Sequence, residues 1–144
     1  MSNTGSRGVE RFLEWIAALV GAANCLFVPL AFARSQENLF PLPGLYFIEL
    51  ALVGVFVLGF VALRTKLSAR WPALPWLAAG IILAFVVLGG FSIGFYLIPA
   101  LVAFVVVGWL MGGQAGRARA RNVALMVVAA VVQGSVIALL ILFT

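Results

Sequence analysis

The fold is decided by residues 71–113, which read WPALPWLAAGIILAFVVLGGFSIGFYLIPALVAFVVVGWLMGG and contain no charged side chain. One continuous helix over this stretch would be about 64 Å long at 1.5 Å per residue, whereas the hydrocarbon core of a bilayer is about 30 Å thick. The stretch therefore predicts two membrane-spanning helices. Paired glycines and a serine within residues 89–94 are typical of a turn, so we place the break there.

Composition extends this interpretation to the whole chain. Of the 144 residues, 65% are hydrophobic and 9% are charged, against roughly 45–50% and 25% in soluble domains. Continuously apolar segments such as 78–88 exclude a transmembrane β-barrel, whose strands alternate apolar and polar residues. The sequence therefore predicts an all-α integral membrane protein, a single domain over residues 1–144 with a bundle of five transmembrane helices.

Each span needs about 20 predominantly apolar residues. The predicted spans are residues 12–33, 43–63, 72–89, 94–112 and 122–143. The first is interpreted as a retained helix rather than a cleaved secretory signal, because its apolar run exceeds the roughly 7–15 residues of a signal core. Pro29 and Pro99 lie within predicted spans, where each should interrupt a backbone hydrogen bond and permit a kink.

Basic residues predict the orientation, because cytoplasmic segments of membrane proteins are enriched in Lys and Arg. With the N-terminus inside, five spans place every Lys and Arg except Arg34 on the inner side. Interfacial aromatic residues favour the same arrangement. Trp15, Trp71, Trp76 and Trp109 fall near inner span ends, and Tyr46 and Tyr96 near outer ones. We therefore predict an inside N-terminus and an outside C-terminus, in the plasma (inner) membrane.

A short basic loop is predicted before the last span, and it carries Arg117, Arg119 and Arg121. Although the net charge of +5 invites a nucleic-acid interpretation, such loops anchor topology and attract anionic lipid head groups, at about 1 kcal/mol per cation. We expect membrane lipid as the partner of these arginines and no nucleic acid.

Acidic and basic residues alternate near the start of the chain. Glu10 stands three residues after Arg7, and Glu14 three residues after Arg11; side chains at this spacing are neighbours on a helix surface. The pattern predicts a solvated, ion-paired face at the inner membrane surface.

Polar residues inside the predicted spans are the candidates for a functional site, because an ionisable group in the membrane is costly. Glu49 lies roughly 9 Å below the outer end of the second span, and Asn24 and Gln133 lie roughly 13–15 Å deep by helical rise. The three could meet in one layer. Such a layer would bind an ion, a proton or a head group, with Glu49 as its charge. The alternative is structural: Glu49 at the boundary, with Asn24 and Gln133 in interhelical hydrogen bonds.

Small residues four apart allow helices to approach closely in lipid. The last span carries such a ridge at Ala130, Gly134 and Ala138, which predicts packing against another helix of this chain or of a partner.

Two function classes remain after these considerations. The chain has no His and one Cys, so we expect no catalytic residues, no metal, no cofactor and no enzymatic activity. The favoured hypothesis is a small non-catalytic multi-pass protein, an accessory or scaffolding subunit that packs against other integral membrane subunits or itself. The alternative is a small oligomeric transporter or channel with its polar site around Glu49.

Overall fold

The computed structural model describes residues 4–35, 44–63, 73–90, 93–112 and 116–143. Its secondary structure is entirely helical over these residues, which confirms the predicted all-α class. The elements are α1 (Thr4–Ala33), α2 (Gly44–Leu63), α3 (Leu74–Leu88), a 3-10 helix (Gly94–Leu97), α4 (Ile98–Met111) and α5 (Gly116–Phe143).

Four helical segments are long and apolar enough to cross a membrane: Gly8–Ala33, Gly44–Leu63, Gly94–Met111 and Ala118–Phe143. The remaining helix, α3, has 15 residues. At 1.5 Å per residue it is about 22 Å long, less than the roughly 30 Å of a hydrocarbon core. The described helices are therefore compatible with a small multi-pass membrane protein, with four segments able to span a membrane by length and composition and one shorter apolar helix.

Prolines and glycines set the boundaries of α3 and α4. Pro75 and Pro99 each occupy the first turn of a helix, where a missing N–H removes no intrahelical hydrogen bond. Pro99 lies where the 3-10 helix passes into α4, inside the spanning segment Gly94–Met111, and Pro29 lies inside α1. Between α3 and α4, the Gly94 N–H donates to the Gly89 carbonyl over 2.7 Å. A Cβ on Gly94 would stand 2.6 Å from the Val86 carbonyl oxygen, so this tight turn requires glycine.

Two helix starts differ from the predicted boundaries. Helix α1 begins at Thr4, within the predicted polar start, and α5 begins at Gly116. The basic residues Arg117–Arg121 therefore lie on helix rather than in the predicted loop. Alternating Ala and Arg are both strong helix formers, and no proline or glycine follows Gly116 in this segment, so the helix extends through it.

Close contacts between helices show the direction in which each one runs. Ala18 of α1 is clustered with Val61 of α2 and Val107 of α4, whereas further along α1 a Cβ on Gly54 of α2 would meet Ala22. Residue numbers thus rise on α1 as they fall on α2, so the two helices are antiparallel. Helix α1 is also antiparallel to α4, because Gly21 lies against Phe104.

Helix α3 runs parallel to α5. Gly80 of α3 lies against Met126 of α5, and eight residues later on each helix Leu88 lies near Gly134. Trp76, near the start of α3, lies on Gly108 near the end of α4, so α3 and α4 are antiparallel. Successive helices therefore alternate in direction. We call the end of the bundle with Tyr46 and Tyr96 the tyrosine end, and the end with Trp109 and Arg119 the arginine end.

Candidate functional site

Glu49 and Gln133 come together across the bundle. Their side chains are hydrogen bonded, with the Gln133 amide as donor to the Glu49 carboxylate and with α2 and α5 as the helices that carry them. Tyr46, one turn earlier on α2, lies close enough to interact electrostatically with Glu49. Its phenol oxygen is buried and has no hydrogen-bond partner.

The side-chain carbonyl oxygen of Asn24 is not hydrogen bonded to Glu49 or Gln133. The Oδ1 atom of Asn24 is buried and accepts no hydrogen bond, so the Gln133 amide does not donate to it. The neighbouring Cys25 is packed where α1 meets Gly54 of α2. Of the three residues predicted to form one polar layer, the structure therefore pairs two, Glu49 and Gln133.

An apolar cavity of about 320 Å³ opens near the tyrosine end. It lies between the last turns of α1, α3 and α5 and the first turns of α2. Its walls are aromatic and aliphatic side chains, together with Gly89: Phe32, Tyr46, Phe47, Leu50, Phe85, Leu88, Ile93, Ile137 and Ile141. The Tyr46 ring packs edge-on against Phe85 at 5.7 Å. With no charged group in its lining, this cavity suits a hydrocarbon chain rather than an ion.

A second group of polar side chains lies at the arginine end, where the charge pattern predicts a solvated face. Glu14 is only 4% exposed and Asn122 only 1% exposed. The predicted solvated face is therefore wrong for Glu14, although Glu10 and Arg11 are exposed as expected. Helix α1 packs one side against α2 and α4, and Glu14 lies on that side.

The burial of Glu14 could have been predicted from the helical spacing of the residues that are buried on α1. The alternation of Glu and Arg instead suggests an exposed face. Glu14, Ala18, Ala22, Cys25 and Pro29 recur every three or four residues, and all are buried. They form one face of α1. The charge pattern of Glu10, Glu14, Arg7 and Arg11 indicates that these residues are neighbours, but not which of them faces the bundle.

Trp76 and Asn122 at this end each bury a polar atom that has no hydrogen bond: Trp76 Nε1, in a side chain 3% exposed, and Asn122 Oδ1. Trp76 lies against Gly108, and the Asn122 Nδ2 lies 3.6 Å from where a Cβ of Gly112 would stand. Gly108 and Gly112 are one turn apart on α4. Trp76 thus packs inside the bundle near the start of α3, and Trp71 lies outside the described residues.

The predicted lipid-contact arginines differ from one another. The guanidinium of Arg119 lies over the Trp109 ring, 4.5 Å from its centroid, and its Nε is buried without a hydrogen-bond partner. Arg121 is exposed. Arg117 lies in the first turn of α5, and its side chain is outside the described part.

The small-residue ridge of α5 is not where α3 and α5 approach most closely. A Cβ on Gly134 would find only Leu88 within 4 Å, at an ordinary 3.9 Å. The helices approach more closely at Gly80, which lies against Met126 and Ala129. Ala130 is half-buried and Ala138 is exposed, so the ridge has room for another helix.

Metal-binding chemistry finds no support in the described ranges. No group of three or more His, Cys, Asp or Glu side chains comes together there. Cys25, the single cysteine, is buried and unpaired with another cysteine. Comparison with known protein families, with curated proteins and with solved structures finds no match to this chain.

Proposed function

We propose that this protein is a small non-catalytic subunit that crosses the plasma membrane five times and packs through α5 against another integral membrane protein. In this proposal α3 also crosses the membrane, as the third of five spans. The N-terminus is inside and the C-terminus is outside. The alternating direction of the helices supports it, since α3 runs antiparallel to α4 and parallel to α5. The bias of Lys and Arg toward one side supports the orientation.

The observation that carries the subunit proposal is the exposure of α5. Only 6% of the residues in its apolar window are buried, against 39% for the segment Gly94–Met111. Within the described chain α5 packs mainly on α3. Its ridge at Ala130, Gly134 and Ala138 therefore remains accessible, and small residues are the ones that permit close contact between helices in lipid. A second membrane protein whose helix lies on this ridge would bury it.

A photo-crosslinking amino acid at position 131 tests this proposal in native membranes. Val131 on α5 and Leu52 on α2 are equally exposed, at 63%, so a crosslinker at Leu52 is the matched control. We expect a discrete product with another membrane protein from position 131 and none from position 52. The absence of a discrete product at 131, or the same products at both positions, would contradict the proposal.

A second candidate function is transport by an oligomer of this chain, which the Glu49–Gln133 pair favours. A carboxylate inside an apolar bundle is costly and commonly lines an ion or proton route. If Glu49 carries out transport, Glu49→Gln abolishes ion or proton flux into proteoliposomes at unchanged thermal stability. If Glu49 is structural, wild-type vesicles show no flux above empty liposomes, and the substitution is tolerated. A crosslink from position 131 to a second copy alone would favour this candidate.

A further inference from the structure

Arg119 and Trp109 form a pair at the arginine end that links α5 to α4. The Arg119 guanidinium lies 4.5 Å from the Trp109 ring centroid, a distance at which the ring attracts the cation. Trp109 is 55% exposed, so the face of the pair is accessible from outside the bundle. Because the side chain is supported by the ring, its guanidinium has lost much of its freedom before any ligand binds.

The chain does not supply enough anions for its cations. It has nine Lys and Arg against four Asp and Glu, so most of its basic groups need a counter-charge from another molecule. Arg119 in addition has a buried Nε that donates to no acceptor. The buried Nε is out of reach of an anion outside the bundle, so such an anion would bind through the two terminal Nη groups of the guanidinium.

The pair lies at the boundary of the apolar segments. Arg119 is the second residue of the spanning segment Ala118–Phe143, and Trp109 is near the end of Gly94–Met111. Lipid phosphates lie at this level of a bilayer, where tryptophan is also enriched. Further along the Trp109 side of α4, Val106 and Val102 are exposed, so an apolar strip continues from the pair toward the membrane centre.

We propose that Arg119, supported by Trp109, binds the phosphate of an anionic membrane phospholipid. The planar guanidinium donates two parallel hydrogen bonds to phosphate oxygens. The acyl chain lies along the strip of Val106 and Val102. The site is specific to Arg119: exposed Arg121, two residues further on, adds only diffuse attraction. This assignment does not depend on the proposed subunit function.

Native mass spectrometry of the detergent-purified protein tests the proposal. The fraction of protein carrying one lipid is measured during titration with phosphatidylglycerol or with phosphatidylcholine of the same acyl chains. We expect tighter binding of phosphatidylglycerol. Arg119→Gln should weaken it about tenfold or more, the effect of losing hydrogen bonds to a charged group. The matched variant Arg121→Gln should weaken it no more than about fivefold, as expected for diffuse attraction.

Two more variants keep the test informative if Arg119→Gln does not fold. Arg119→Lys retains the charge without the planar donor pair, and Trp109→Leu removes the ring support. Each should weaken binding of phosphatidylglycerol while Arg121→Gln changes it less. Equal losses for Arg119→Gln and Arg121→Gln, or equal binding of both lipids, would overturn the site. Displacement of the lipid by glycerol phosphate at the same concentration would overturn the assignment to a membrane lipid.

Discussion

The substitution Gly80→Ala tests a close approach between α3 and α5. A Cβ at Gly80 would overlap the main-chain carbonyl oxygen of Met126 and stand 2.8 Å from the Cβ of Ala129. Carbon atoms in favourable contact are about 3.5–4.0 Å apart, so α5 would have to move away from α3 by roughly 1 Å. The Met126 carbonyl belongs to the backbone of α5 and cannot rotate aside.

The expected loss of stability follows from two opposing effects. Overpacking costs about 1–3 kcal/mol, and we expect the upper end because the obstacle is main chain. Alanine is better than glycine in a helix by about 1 kcal/mol. Gly80→Ala should therefore lower the free energy of unfolding by about 2 kcal/mol, as the difference between these effects.

Gly134→Ala is the matched control on the facing helix. Its Cβ would meet only Leu88, at 3.9 Å, so the helix-propensity gain of up to about 1 kcal/mol should remain. Both variants are unfolded reversibly in mixed micelles with increasing dodecyl sulfate, followed by tryptophan fluorescence, since Trp76 is buried in the bundle. If Gly134→Ala loses as much stability as Gly80→Ala, the contact between α3 and α5 described here is wrong.

Two further predictions concern topology and buried charge. In a Cys25→Ala background, a cysteine that replaces Ser92 should be labelled by a membrane-impermeant reagent from outside, and one that replaces Ala118 only from inside. Labelling of both from one side would contradict the five-span orientation. Glu14→Ala should lower the free energy of unfolding in micelles by about 1–3 kcal/mol, the cost of leaving buried polar partners unsatisfied. Glu10→Ala, on the exposed face, should change it by less than about 0.5 kcal/mol. Equal effects would show that Glu14 is not buried.

The helical class and the position of the central turn are accessible from sequence because they depend on local chemistry. Apolar runs too long for one span, interrupted by glycines, leave the chain few alternatives in lipid. Gly89 and Gly94 do form the turn between α3 and α4. The preference of proline for the first turn of a helix is equally local. Applying it to Pro99 requires knowing that α4 begins at Ile98, after a 3-10 helix.

The candidate site was less accessible, because it depends on which helices meet. The spacing of Glu49 and Gln133 gives their depth in the membrane, and depth alone also places Asn24 at a similar level. In the structure Gln133 pairs with Glu49, whereas Asn24 Oδ1 is buried without a hydrogen bond, a difference that depth does not predict. Glu14 illustrates the same point: its charge pattern with Arg11 suits a solvated face, whereas the buried face of α1 is decided by tertiary contact.

Purification from native membranes under mild detergent tests the central claim most directly, since it asks whether α5 holds a partner. The wild-type chain should co-purify with a membrane protein in fixed stoichiometry, and Gly134→Leu should lose that partner while remaining folded. The matched variant is Gly59→Leu on α2, where a Cβ would meet nothing within 4 Å, and it should keep the partner. A wild-type chain that purifies alone or only with copies of itself, or a partner retained by Gly134→Leu, would contradict the account.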